Sequence, residues 1–144
     1  MQISKAHSTD FANIHALLKA NDLPVEGVNE VQGAYYLLKN GEKLMAVAGI
    51  EGSAPTALLR SVAVDVQMHN RGIGTQFMID ILSLANEQGF RQIYLLTETA
   101  SKFYERLGFT IEDRSQAPES IRKSSEFTSM CPTSATLMKY IIIK

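Results

Sequence analysis

A single cysteine, Cys131, leaves nothing to close an intrachain disulfide, so the fold must be held by packing. Neither sign of charge prevails: 14 Lys and Arg stand against 15 Asp and Glu, intermixed without long blocks, for a net charge of −1. A chain so balanced has no bulk electrostatic attraction for nucleic acid or an anionic membrane, and any phosphate it recognises must be gripped locally. No charged-then-apolar leader and no long apolar run marks export or membrane spanning, which makes the cytoplasm the expected location. His7, His15 and His69 hold no metal-ligand spacing with one another or with Cys131, so no metal site is expected and Cys131 reads as a packing residue. Internal repeats, linkers and low-complexity segments are also absent. With 144 residues, 45% of them hydrophobic, the chain is expected to form one domain over residues 1–144 and to bury roughly two-thirds of the surface its unfolded form exposes.

What the sequence does have is a glycine turn between two well-patterned elements. A β-branched run over 61–64 leads into His69-Asn70-Arg71-Gly72-Ile73-Gly74-Thr75, and residues 76–88 then carry an uninterrupted helical pattern. Without Cβ at Gly72 and Gly74, the backbone can come within hydrogen-bonding distance of a bulky anion. The first-turn N–H groups of the following helix have no internal acceptor and lie at the positive end of its dipole. The combination is a phosphate cradle. It lacks the six-position spacing of the dinucleotide fingerprint and the Lys-Ser/Thr ending of a nucleotide P-loop, so the phosphate belongs to another carrier.

Around the cradle, residues 1–4 read as a strand, and Ser8 or Thr9 can cap a helix with Phe11, Ile14, Leu17 and Leu18 on one face. That helix stops within 21–24, and 25–33 reads as a loop with a helical turn. Asn40-Gly41 between β-patterned runs at 34–38 and 44–50 is a hairpin signal, because both turn residues tolerate positive φ. After a turn at 52–55, residues 56–64 form the third strand of the meander. In the helix at 76–88, Gln76, Asp80, Ser83 and Glu87 mark the polar face and Phe77, Met78, Ile81, Leu82 and Ala85 the buried one. A short apolar strand at 93–97, a helix at 100–107 stopped by Gly108, a strand at 109–114, a helical turn at 118–123 and a closing strand at 136–143 complete the order. The count predicts an α+β domain of three α/β/α layers, with a mixed, mainly antiparallel central sheet flanked by helices.

This order, together with two motifs, resembles the GNAT superfamily of acyl-CoA-dependent N-acyltransferases over essentially the whole chain. Val62-Ala63-Val64 followed by Arg71-Gly72-Ile73-Gly74 is similar to the superfamily's pyrophosphate loop, Gln/Arg-x-x-Gly-x-Gly/Ala. His69 stands where Gln or Arg is usual; a cradle that works through backbone N–H groups should lose little by this, and Arg71 supplies a nearby positive charge. Ala100-x-x-Phe103-Tyr104-Glu105-x-x-Gly108-Phe109 resembles the superfamily's A-x-x-F/L-Y-x-x-x-G-F helix. The stretch Leu95-Leu96-Thr97-Glu98-Thr99-Ala100 and the tail 121–138 resemble, more finely, a small branch associated with arsenic-resistance loci and related to the acetyltransferase domain of N-acetylglutamate synthase. The Arg-containing tail of that synthase is not reproduced here.

The resemblance implies acetyl-CoA as cofactor and transfer of its acetyl group to the primary amine of a small, amino-acid-like acceptor in a ternary complex, without a covalent intermediate. The implied cofactor residues are His69 to Thr75, with Val62, Ala63 and Val64 offering backbone groups to the pantetheine arm and the thioester. Thr97 and Phe103 join them on the same likeness, although Phe103 reads first as core. Tyr104 is the implied general acid for the departing thiolate, and a phenol that titrates near 10 is protonated at neutral pH; the alternative is a packing residue. Glu98, at the carboxyl end of the 93–97 strand, is the candidate base or else a favourable helix-dipole partner. Arg60, amid an apolar run with Leu58 and Val62 as same-face neighbours, needs either a structural carboxylate or that of a substrate. Glu26 and Glu30, in the loop that covers acceptor sites in relatives, are weaker candidates than Glu98, or else solvated loop carboxylates; for the acceptor pocket the likeness implies Glu26 and, from the tail, Ser125, Glu126 and Ser134. No nucleic-acid or membrane partner is expected, and a homodimer is left open. The rival functions are a non-catalytic acyl-CoA-binding regulatory domain and a protein or peptide N-acetyltransferase.

Overall fold

The computed structural model describes residues 2–25, 28, 34–68, 72–123 and 135–142. The strands are β1 (Gln2–Lys5), β2 (Ala34–Asn40), β3 (Lys43–Glu51), β4 (Thr56–Val64), β5 (Gln92–Thr97), β6 (Thr110–Glu112) and β7 (Thr136–Ile141). The helices are α1 (Phe11–Ala20), α2 (Ile73–Glu87), α3 (Ser101–Leu107) and α4 (Glu119–Arg122). The strands form a mixed seven-stranded sheet in the order β1-β2-β3-β4-β5-β7-β6. Two compact units divide the chain: residues 1–51 with 61–83, and residues 52–60 with 84–144.

In the first unit β1 and β2 pair antiparallel from Gln2↔Lys39 to Lys5↔Tyr36, and β2 pairs with β3 around a turn at Gly41-Glu42, with Gly41 at φ +64°; Asn40, expected as a turn residue, instead ends β2 opposite Lys43. Helix α1 lays its apolar stripe on this ladder: Ile14, Leu17 and Leu18 cluster with Tyr35, Leu37, Val47 and Ala63, and with Val28. Phe11 meets Tyr35 edge to face at 5.6 Å. At its end, Leu23 N–H donates to Leu18 O and Asp22 N–H to Lys19 O, with Asp22 at φ +58°. This is the double closure that usually takes glycine at the left-handed position.

The second unit contains the parallel pairing, Thr56↔Gln92 to Leu58↔Tyr94. Strand β5 pairs antiparallel with β7 along its whole length, and β7 carries β6. Leu58, Tyr94, Leu96 and Leu137 form a buried cluster with Ala135 and with Ala117 and Ile121 at α4. Alternate residues of the strands share a face, which is why 94 and 96 enter it together.

Three further expectations change. Ser8 and Thr9 do not cap α1: they lie in a 3₁₀ turn, Ser8–Asp10, held by His7 N–H donating to Asp10 Oδ2 at 2.8 Å. Strand β6 stops at Glu112 because Asp113 turns the chain, its Oδ1 accepting Ser115 N–H at 2.9 Å at the start of a second 3₁₀ turn. Helix α2 begins at Ile73 rather than 76, so Gly74 and Thr75 lie inside its first turn.

Candidate functional site

Gln76 N–H donates to Gly72 O at 3.1 Å, the first bond of α2, which makes Gly72 the residue that caps this helix of 15 residues. The N–H groups of Ile73, Gly74 and Thr75 therefore precede any intrahelical acceptor. No acidic side chain occupies this first turn. Gly72 takes φ +75°, and a Cβ there would meet nothing within 4 Å. Its glycine is thus demanded by backbone conformation, and the space beside it is open. An oxyanion with a delocalised charge fits such a terminus, where N–H dipoles and the helix field act together. His69, Asn70 and Arg71 lie outside the described residues.

One residue of the strand that leads to the cradle departs from extended geometry: Ser61 takes φ +54°, in the left-handed region. That φ interrupts the period-two spacing on which the expected same-face triplet of Leu58, Arg60 and Val62 rests. Val62 and Val64 are half-buried, while Ala63 is buried in the first unit's core. Val64 O accepts Asn21 Nδ2 at 3.1 Å, and the same nitrogen donates to Leu17 O at 3.0 Å, so one side chain ties the end of α1 to the end of β4. Sequence reasoning passed over Asn21 and Ser61: the first read as a helix stop, and a serine carries no local signal for positive φ.

Helix α3 positions Tyr104, which is buried with its ring edge-on to Phe103 at 5.1 Å and to Phe109 at 5.5 Å. Gly108 ends the helix at φ +109°. Phe103 is half-buried. Thr97 Oγ1 accepts Ala100 N–H at 3.1 Å, which closes the short connection into α3 and gives this hydroxyl a local task. Glu98 is exposed in that connection, at the carboxyl end of β5 as its position required.

Arg60 is 3% exposed, the only charged side chain buried among the described residues, and it is engaged within the protein. Glu26, Glu30, Ser125, Glu126, Ser134 and Cys131 lie outside the described residues. Among the described residues no three His, Cys, Asp or Glu side chains gather as a metal set, and no helix is long and apolar enough to cross a membrane.

Residues 32–111, more than half of the chain, match the family described as an acetyltransferase (GNAT) domain. That span holds both the cradle and α3. Among solved structures the chain is similar to N-acetylglutamate synthase from Neisseria gonorrhoeae complexed with coenzyme A and N-acetyl-glutamate, at TM-score 0.79 and 19% identity over 100% of this chain and 36% of that one. It is similar to Tetrahymena GCN5 at TM-score 0.80 and 18% identity, covering 99% and 97% of the two chains. The ribosomal-protein-S18-alanine N-acetyltransferase from Escherichia coli gives TM-score 0.75 and 18% identity, with 98% and 93% covered. At such identities the likeness is one of fold. The chain spans about a third of the length of the N-acetylglutamate synthase chains it matches. No curated protein sequence matches it.

Proposed function

Because the chain belongs to the GNAT acetyltransferase family, we propose that it transfers an acetyl group from acetyl-CoA to the primary amine of a small, amino-acid-like acceptor, by direct attack in a ternary complex. The observation that carries this reading is the foot of α2: Gly72 at φ +75° with open space beside it, followed by three N–H groups that have no intrahelical acceptor. These groups would hold the pyrophosphate, with His69, Asn70 and Arg71 completing the loop. The single chain forms one catalytic domain on this reading.

Bound acetyl-CoA supplies the thioester carbonyl and the thiolate leaving group. The backbone of Val62, Ala63 and Val64 orients the arm, and an N–H group there polarises the carbonyl as negative charge develops on its oxygen. Glu98, exposed and close in sequence to α3, takes the proton of the acceptor ammonium so that a neutral amine attacks. Tyr104, buried with its ring edge-on to Phe109, gives its phenolic proton to sulfur. Thr97 and Phe103 frame the same region of the chain. The same reading assigns the planar fork of Arg60 to the acceptor carboxylate, and assigns Glu26, Ser125, Glu126 and Ser134 to acceptor binding. The fold likeness to a synthase holding N-acetyl-glutamate supports an amino-acid-like acceptor, and the sequence likeness to the arsenic-resistance branch adds arsenical amino-acid analogues to the candidates.

The test is a panel of amines, including amino acids, their amides, arsenical amino-acid analogues and short peptides, followed by thiol release from acetyl-CoA. Release that depends on a free α-carboxylate is the expected result. Coenzyme A binding without amine-dependent release would instead indicate a regulatory acyl-CoA-binding domain, and release with peptides alone a peptide acetyltransferase.

A further inference from the structure

Strand β5 passes into helix α3 through residues 98–100, and one hydroxyl closes the joint. Thr97 is the last residue of β5 and lies opposite Thr136 of β7, so the sheet holds its backbone before the chain turns. Its Oγ1 accepts Ala100 N–H at 3.1 Å. Ala100 O in turn accepts Tyr104 N–H at 3.1 Å, the first bond of α3. Ala100 stands at the N-cap of this helix, where an alanine has no side-chain acceptor to offer, and the hydroxyl three residues earlier fixes the entry instead. Beyond Tyr104 the helix is tied again, with Phe109 N–H donating to Tyr104 O at 3.0 Å. Helix α3 has seven residues, about two turns, so a shift in its first turn reaches Tyr104 directly.

We infer that Thr97 is a positioning residue for Tyr104: through Ala100 its hydroxyl fixes the entry of α3, and with it the place of the phenol. This rests on the reading of Tyr104 as the acid that protonates the departing thiolate. Thr97 moves no proton itself and is linked to Tyr104 by two hydrogen bonds in series. The role differs from the cofactor contact that family likeness implies for this residue. A cofactor contact is read in coenzyme A affinity, and a positioning contact in turnover. Substitutions separate the hydroxyl from the shape of the side chain. Thr97→Val keeps the β-branched outline and gives up the acceptor for Ala100 N–H, whereas Thr97→Ser keeps the acceptor and gives up the methyl group.

The experiment is steady-state kinetics with acetyl-CoA and the amine of the panel that supports thiol release, beside calorimetric titration of coenzyme A and a melting curve. The variants are Thr97→Val and Thr97→Ser, each made in the parent and in Tyr104→Phe. Thr97→Val should lower kcat about 3- to 30-fold, with coenzyme A affinity and both KM values within about twofold of the parent. Thr97→Ser should keep most of the parent's kcat. In the Tyr104→Phe background, where no phenolic proton is delivered, Thr97→Val should cost less than about twofold. An equal loss in both backgrounds would overturn the inference, as would weaker coenzyme A binding with kcat unchanged, or equal losses for Val and Ser. Should Thr97→Val fail to fold, Thr97→Ala is read by the same criteria. Turnover unchanged by Tyr104→Phe alone overturns the acid reading and this inference together; turnover lowered by Tyr104→Phe and left intact by Thr97→Val overturns this inference only.

Discussion

The N–H of Phe109 donates to the carbonyl of Tyr104 at 3.0 Å while the two rings meet edge to face at 5.5 Å. Such a closure requires a left-handed residue between them, and Gly108 supplies it at φ +109°. A Cβ on Gly108 would stand 2.9 Å from Tyr140 Cε1. Gly108→Ala should therefore lower unfolding free energy by about 1–3 kcal/mol and reduce turnover by displacing Tyr104. Urea denaturation beside kinetics checks this; an unchanged midpoint would mean that ring and backbone accept the methyl group.

Tyr104→Phe keeps the ring and its packing and removes only the proton donor. Turnover should fall about 10- to 1,000-fold, with acetyl-CoA affinity and melting temperature close to the parent. Unchanged turnover, where chemistry limits the rate, would leave Tyr104 a packing residue.

Arg60→Lys preserves charge and loses the two-pronged contact. If Arg60 holds a substrate carboxylate, the acceptor KM should rise, and the rise should vanish for an acceptor whose carboxylate is replaced by an amide. Lower thermal stability with both acceptors affected alike would instead identify Arg60, 3% exposed and engaged within the protein, as a structural member of an ion pair.

His7 N–H, then the Lys39 ammonium at 2.9 Å, hold the Asp10 carboxyl below its ordinary value of 3.8. A carboxyl lowered on folding stabilises the native state above its unfolded value, and the contribution disappears as pH falls through the folded one. The stability difference between parent and Asp10→Asn should thus be constant at a few tenths to about 1 kcal/mol from neutral pH to about 4.5, and shrink below about 4. Chemical denaturation across that range measures it. A difference that grows toward acid would contradict the sign.

The positive φ at Gly41, the extent of β4 and the stop at Gly108 depend on period two and on glycine, all visible within a few residues, whereas Asn40 stays in β2 opposite Lys43 and the turn falls one residue later. The pattern starts α2 three residues late because Gly74 and Thr75 resemble loop formers, yet a first turn tolerates them. Contacts between distant segments left no mark: Asn21 meets Val64 across 43 positions, and Asp65 N–H meets Met45 O on another strand. Ser61 in the left-handed region was equally silent, since strand pattern and composition on either side are ordinary. Among candidate site residues, Tyr104 and the cradle glycines were visible through motif spacing. Arg60 was visible as a charge in an apolar run, whereas the use of Thr97 Oγ1 to close a turn was not.

Calorimetric titration of acetyl-CoA into the parent and into Gly72→Glu, with a melting curve for each, tests the cradle most directly. Glutamate at φ +75° strains the backbone and sets its carboxylate in the open space beside the α2 terminus. The expected result is saturable 1:1 binding by the parent and a loss of about tenfold or more in a folded variant, the equivalent of ~1.4 kcal/mol. A parent that gives no heat of binding, or a folded variant that binds as tightly as the parent, would contradict the cradle.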